Sequence, residues 1–155
     1  MAEARRFKAV IVDDDKDCVQ SLSYLILSNC PEIDIRGLAN NVEDGVKLVK
    51  EQMPDVLFLD VNMPPYTGFD LLKQINNKDM EVIFCTSSSD YAIQAFKYAA
   101  FDYLLKPVAV SDLRDSIDRL NEKKIESSLF DERMILLSDQ LSPKVEKNGI
   151  IAFAT

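Results

Sequence analysis

The sequence predicts an α/β fold: a doubly wound five-stranded parallel sheet followed by a C-terminal helical tail. Two observations carry this. Short apolar runs alternate regularly with amphipathic helical patterns over most of the chain, as in repeated strand–helix units. The strand candidates are continuously apolar rather than alternating, which is the pattern of parallel strands covered by helices on both faces. Right-handed crossovers then leave few topologies, and the doubly wound sheet is the natural one.

Each element follows in turn. Ala9-Val10-Ile11-Val12 is the first strand candidate, ended by Asp13. Cys18, Leu22, Leu25 and Ile26 fall on one helical face, and Pro31 stops that helix. Residues Ile33 to Leu38 alternate as an edge strand with one wet face would. Val42, Val46 and Val49 mark the second helix, closed before Pro54. Val56-Leu57-Phe58-Leu59 is a buried strand candidate followed by Asp60. Phe69, Leu72 and Ile75 repeat at helical spacing before Asn76-Asn77. Val82-Ile83-Phe84-Cys85 is the next apolar run, with a polar loop from Thr86 to Ser89. Ala92, Phe96 and Ala99 give a fourth helix, Tyr103-Leu104-Leu105 a fifth strand, and Val110, Leu113, Ile117 and Leu120 the stripe of a fifth helix.

Composition removes several functions. A chain of 155 residues is long enough for one ordinary domain with its own core. The absence of histidine excludes Ser-His-Asp triads, Cys-His dyads and His-ligated zinc. A net charge of −8 argues against direct nucleic-acid binding by this piece, since phosphate contacts need clustered Lys and Arg. Cys18, Cys30 and Cys85 are odd in number and lack a C-x-x-C spacing, so they read as reduced, buried thiols. Nothing approaches a membrane span, and Met1 to Phe7 has no signal-peptide character, so a cytoplasmic protein is expected.

In an open parallel sheet, ligands bind beyond the carboxyl ends of the strands, at the switch point in strand order. Those ends carry Asp13-Asp14-Asp15, Asp60, Thr86 and Lys106. With the first and third strands flanking the switch point, as in the 2-1-3-4-5 order of flavodoxin-like sheets, their carboxylates converge. Carboxylates sharing a pocket repel unless a cation sits among them, and a hard divalent ion such as Mg²⁺ suits oxygen ligands. A carboxylate can act as nucleophile toward a phosphoryl group, and an ammonium can neutralise the transferred oxygens. Lys106 supplies that ammonium, and the Thr86 hydroxyl can bond a phosphate oxygen. Singly, each residue has a plainer reading, as a cap, a turn or a strand end, and Asp15 is read as a helix N-cap. Four such coincidences at one sheet edge favour the chemical reading.

Val12-Asp13-Asp14-Asp15, the run Asp60 to Gly68, Thr86 and the run Asp102 to Pro107 together resemble the receiver domain of two-component response regulators. The resemblance covers about residues 7–122. It implies Asp60 as phosphoacceptor for a sensor histidine kinase and Asp14 as a direct Mg²⁺ ligand. Asp13 would act through water and Asn62 through its backbone carbonyl. Lys106 would pair with the phosphoryl group, with a cis bond to Pro107. Thr86 and Tyr103 would form the switch, altering the surface around the fourth helix, fifth strand and fifth helix. Such a protein is a phosphoryl acceptor rather than an enzyme in the usual sense. Asp102 to Pro107, Tyr91-Ala92 and Ala95-Phe96 are most similar to regulators with a LytTR-type DNA-binding domain. Two departures stand out: Pro65 makes a double proline, and Ser87-Ser88 replace the small residues common after the threonine.

The resulting division is a receiver over 7–124, a linker with an amphipathic helix over 125–147, and the truncated start of a LytTR-like effector over 148–155. DNA would be bound only through that missing C-terminal domain. Phe130, Met134, Leu137 and Leu141 form a coiled-coil-like seam before Pro143. The seam fits either a stalk joining a homodimer or a helix packed on its own domain. Two competing functions are a receiver that signals without phosphorylation and a haloacid dehalogenase-type phosphatase. The latter needs a second aspartate where this chain has Asn62, which cannot transfer a proton.

Overall fold

The computed structural model describes residues 7–77 and 79–140. Leu141, Pro143 and the expected strand after Asn148-Gly149 lie outside the described residues. The elements run β1 (Phe7–Val12), α1 (Lys16–Asn29), β2 (Ile33–Ala39), α2 (Val42–Gln52), β3 (Val56–Leu59), β4 (Asn62–Met63), β5 (Tyr66–Thr67), α3 (Gly68–Lys73), β6 (Glu81–Thr86), α4 (Ala92–Lys97), β7 (Asp102–Leu105) and α5 (Val110–Gln140). The described residues divide into two units at Ser116/Ile117.

Five strands form one parallel sheet in the order β2-β1-β3-β6-β7, and β4 and β5 form a separate two-stranded antiparallel ribbon. Counting only the long strands, this is the expected 2-1-3-4-5 order. The central strands earn their places by composition. Every residue of β3 is fully buried, and Ala9 to Val12 of β1 are nearly so. β2 lies at the edge, as its alternating sequence requires, and its register against β1 shifts between Ala9 and Val10. Parallel pairing of Ala9–Val12 with Val56–Leu59 ends both strands at the same level. That register is what brings Asp13 and Asp60 to one edge.

The helices are defined by local chemistry. Asp15 caps α1, accepting from the amides of Asp17 and Cys18, and Asn41 caps α2 by accepting from Asp44. Val19, Leu22 and Ile26 are the buried residues of α1, while Cys18 and Leu25 are only half-buried. The side chains of Thr67 and Asp70 form a reciprocal capping box that starts α3. Val42, Val46 and Val49 are buried as their spacing predicts.

The fourth helix differs from its sequence pattern. Ala95 is its buried residue, whereas Phe96 is 82% exposed and Ala92 and Ala99 face solvent. The reason is geometric. The helix is six residues long, and Ala99 adopts a left-handed φ of 58° just after it. The amide of Ala100 then bonds back to the carbonyl of Ala95. Choosing the largest apolar side chain as the inward one therefore selects the wrong face. α5 runs unbroken through residue 124 to Gln140. Leu113, Ile117 and Leu120 are buried, while Val110 at its start is partly exposed.

Candidate functional site

Asp13 follows the last residue of β1, and its amide donates to the carbonyl of Ala39 on the edge strand. Its Oδ1 accepts the amide of Asp15, which turns the chain into α1. Asp60 follows β3 and donates its amide to the carbonyl of Val12. Both carboxylates are buried. Lys106, which follows β7, reaches back across the sheet edge. Its Nζ lies 2.6 Å from Asp13 Oδ2 and 3.6 Å from Asp60 Oδ2. The bond from Lys106 to Pro107 is cis, and so is that from Pro64 to Pro65. Asp13, Asp14 and Asp60 each offer a carboxylate oxygen, and these oxygens lie within 4.8 Å of one another.

Electrostatics mark Asp60 as the stressed member. Burial, then the neighbouring Asp13 charge, push its carboxyl up to about 6, against the pull of Lys106. Asp14 is raised too, by partial burial first and by Asp13 second, although it is exposed. Burial would lower Lys106, but the hydrogen bond to Asp13 and the charge of Asp60 outweigh it and hold its ammonium firmly protonated. Three hard oxygen donors crowded beyond what one ammonium relieves are a donor set that a small divalent cation fits.

Thr86 ends β6 fully buried, and its hydroxyl has no hydrogen-bond partner of ordinary geometry. It stands near enough to Asp60 to favour the ionised carboxylate slightly. A buried hydroxyl without a full partner, beside a stressed carboxylate, is a donor awaiting an acceptor. Tyr103 on β7 is half-buried, its ring 6.1 Å from that of Phe84, and its hydroxyl donates to the carbonyl of Ser88 in the loop after Thr86. Asn62 lies exposed in β4, two positions beyond Asp60, paired with Thr67.

Several contributors escape a reading of the sequence. A Cβ at Gly68 would sit 2.3 Å from the backbone carbonyl of Asp60, so only glycine lets α3 start against the acceptor loop. The hydroxyl of Ser116 on α5 donates to Asp102 at the start of β7. Arg114 grips Glu32 with both guanidinium arms at 2.9 and 2.8 Å and also donates to the carbonyl of Asn29. Cys18, expected as a reduced, buried thiol, is only half-buried and lines a cleft of about 470 Å³ beside Asp13 and Lys106, together with Leu22, Cys85 and Pro107. Among the described residues no disulfide forms, and burial pushes the thiols of Cys18 and Cys85 up, not toward reactivity. Only proximity in the folded chain distinguishes these residues.

Residues 9–118 match the family model described as the response regulator receiver domain. The chain belongs to that family. An uncharacterized response regulatory protein of Vibrio parahaemolyticus is 37% identical over 150 residues, covering 95% of this chain and 62% of that protein. The transcriptional regulatory protein BtsR of Escherichia coli is 35% identical over 118 residues, covering 76% of this chain and 49% of BtsR. The chain thus spans about half to three-fifths of the length of these relatives. Among solved structures, the response regulatory domain of mrkE from Klebsiella pneumoniae superposes with a TM-score of 0.67 at 31% identity, covering 75% of this chain and 96% of that one. The fold and the family together make this a receiver domain of a two-component response regulator. Among the described residues, no helix is long and apolar enough to cross a membrane.

Proposed function

We propose that Asp60 is the phosphoacceptor of this receiver. The observation that carries the proposal is the geometry around that carboxylate. It is buried, raised to about 6, 3.6 Å from the Lys106 ammonium, and clustered with Asp13 and Asp14. An Asp60 oxygen attacks the phosphorus of a phosphohistidine on a sensor kinase. The P–N bond breaks, the imidazole leaves as the neutral base because its other ring nitrogen already carries a proton, and an acyl phosphate forms.

Asp14 and Asp60, with Asp13 through water and the Asn62 carbonyl, would hold Mg²⁺, which supplies charge neutralisation for the phosphoryl oxygens. Lys106 is already held protonated at the acceptor and binds one phosphoryl oxygen. The Thr86 hydroxyl, lacking a partner of its own, donates to another. Tyr103, tied to the loop that carries Thr86 through Ser88, conveys that movement to the surface of α4, β7 and the start of α5. Ile93, Phe96, Leu105 and Val110 are exposed apolar side chains of that surface. The effect is a shift between two packings biased by one new charged group.

The output is control of transcription from the cytoplasm through a DNA-binding region beyond this receiver, of the LytTR type. The family match and the regulatory name of BtsR support a transcriptional role, and the acidic composition of the chain fits a domain that does not itself touch DNA. Incubation with acetyl phosphate and Mg²⁺, read by intact mass, tests the acceptor. A single adduct of one phosphoryl group is expected in the wild type and none in Asp60→Asn. An adduct that survives in the variant assigns the wrong residue.

A further inference from the structure

The second half of α5 presents apolar side chains that the receiver chemistry leaves unused. Ile125, Leu129, Phe130, Ile135, Leu136 and Leu137 are all exposed, Phe130 and Ile135 at 61% and Leu136 at 60%; Ile135 stands apart, roughly 80° to the far side of Ile125. At 3.6 residues per turn, Ile125, Leu129 and Leu136 fall within about 40° of one another, and Phe130 and Leu137 within about 20°. The two stripes bound an arc of roughly 140°, the width of a helix face that packs on a neighbour. A helix exposing this much apolar surface gains little from propensity alone and needs a covering partner.

The trough between the stripes says what that partner is. Glu126 and Arg133 project there, one heptad apart and opposite in charge, and both are exposed. We infer that a second copy of this chain covers the face, with its α5 antiparallel, so that Glu126 of each copy meets Arg133 of the other. The two-fold axis then passes near Leu129 and Phe130, and the stripes of the two helices interdigitate around two reciprocal ion pairs. A closed two-fold contact uses the same patch twice, and this patch is self-complementary in that arrangement. A parallel pairing would instead set Glu126 against Glu126 and Arg133 against Arg133. The segment 117–138 carries five acidic and four basic side chains, so two copies can approach here without the repulsion that the net charge of −8 imposes elsewhere.

Sedimentation of the full chain over a range of concentrations, with light scattering, tests this. A dimer is expected, weakened at least tenfold by Leu136→Glu, with phosphoryl labelling of Asp60 unchanged as proof of a folded receiver. Glu126→Arg alone and Arg133→Glu alone each weaken the dimer, and the double exchange restores it. Far-UV circular dichroism of the single-charge variants checks that helix content is retained. A wild type that stays monomeric at every concentration overturns the inference, as does a dimer indifferent to both single exchanges. A dimer lost in Phe96→Glu but kept in Leu136→Glu overturns it too, because the contact then lies on α4.

Discussion

Asp60→Asn is expected to stabilise the protein in the absence of a divalent cation, and the sign follows from the position of the carboxyl. Its folded value is about 6 against an ordinary 3.8, because burial and Asp13 oppose its charge more than Lys106 supports it. The folded state therefore holds this proton more tightly than the unfolded chain does. The stability contributed by the protonated carboxyl is fully present below about pH 4 and is lost as pH rises toward 6. A gap of roughly two pH units corresponds to about 3 kcal/mol as a ceiling. Partial relaxation of the site and the charge shared with Lys106 bring the expected gain to about 1–2 kcal/mol. Asparagine has nearly the same shape and no charge to desolvate. For a chain of this size the gain corresponds to a rise in Tm of roughly 3–8 °C. Thermal unfolding by circular dichroism at pH 8 in EDTA reads it directly, and the gap between variant and wild type should narrow toward pH 5. Adding Mg²⁺ should raise the Tm of the wild type and largely spare the variant, since the ion binds only where the carboxylates gather. A variant that is equally or less stable than wild type at pH 8 in EDTA would refute the reasoning, because Asp60 would then be well solvated or fully compensated.

Three further outcomes follow from the same site and its supports. Lys106→Met leaves Asp13 and Asp60 buried without their ammonium, so urea unfolding should show a loss of about 2–4 kcal/mol, smaller when Mg²⁺ is present. Gly68→Ala forces a methyl group against the Asp60 carbonyl, so a loss of about 2 kcal/mol or more is expected together with slower labelling by acetyl phosphate. Arg114→Ala removes a two-armed contact with Glu32 and a donor to Asn29, and chemical denaturation should show a cost of about 1–2 kcal/mol with labelling at Asp60 intact.

The alternation of apolar runs and helical stripes was written in the chain, and so was the parallel character of the sheet. Val56 to Leu59 has no polar position to turn toward water, so it reads at once as a strand covered on both faces. The acidic residues after the first and third strands and the lysine after the fifth stand in the sequence just where such strands end. Those signals survive because hydrophobic periodicity and strand ends are local properties, set by neighbours a few residues away. The contribution of Gly68 was not legible, since its need arises from the approach of one backbone to another and leaves no pattern in composition.

What the sequence determined by itself was the kind of layer each segment could join and the residue types available at the functional edge. What tertiary structure decided was the distances and the burial: Lys106 within 2.6 Å of Asp13, carboxylate oxygens of Asp13, Asp14 and Asp60 within 4.8 Å of one another, and Asp60 raised by its burial first and by Asp13 second. It also decided that Ala95 rather than Phe96 is buried on α4, and that apolar side chains beyond Leu120 on α5 are exposed. The physical reason is the same in each case. Register between strands far apart in the chain fixes where their ends meet, and a helix's inward face depends on what lies opposite it, which no window of neighbouring residues contains.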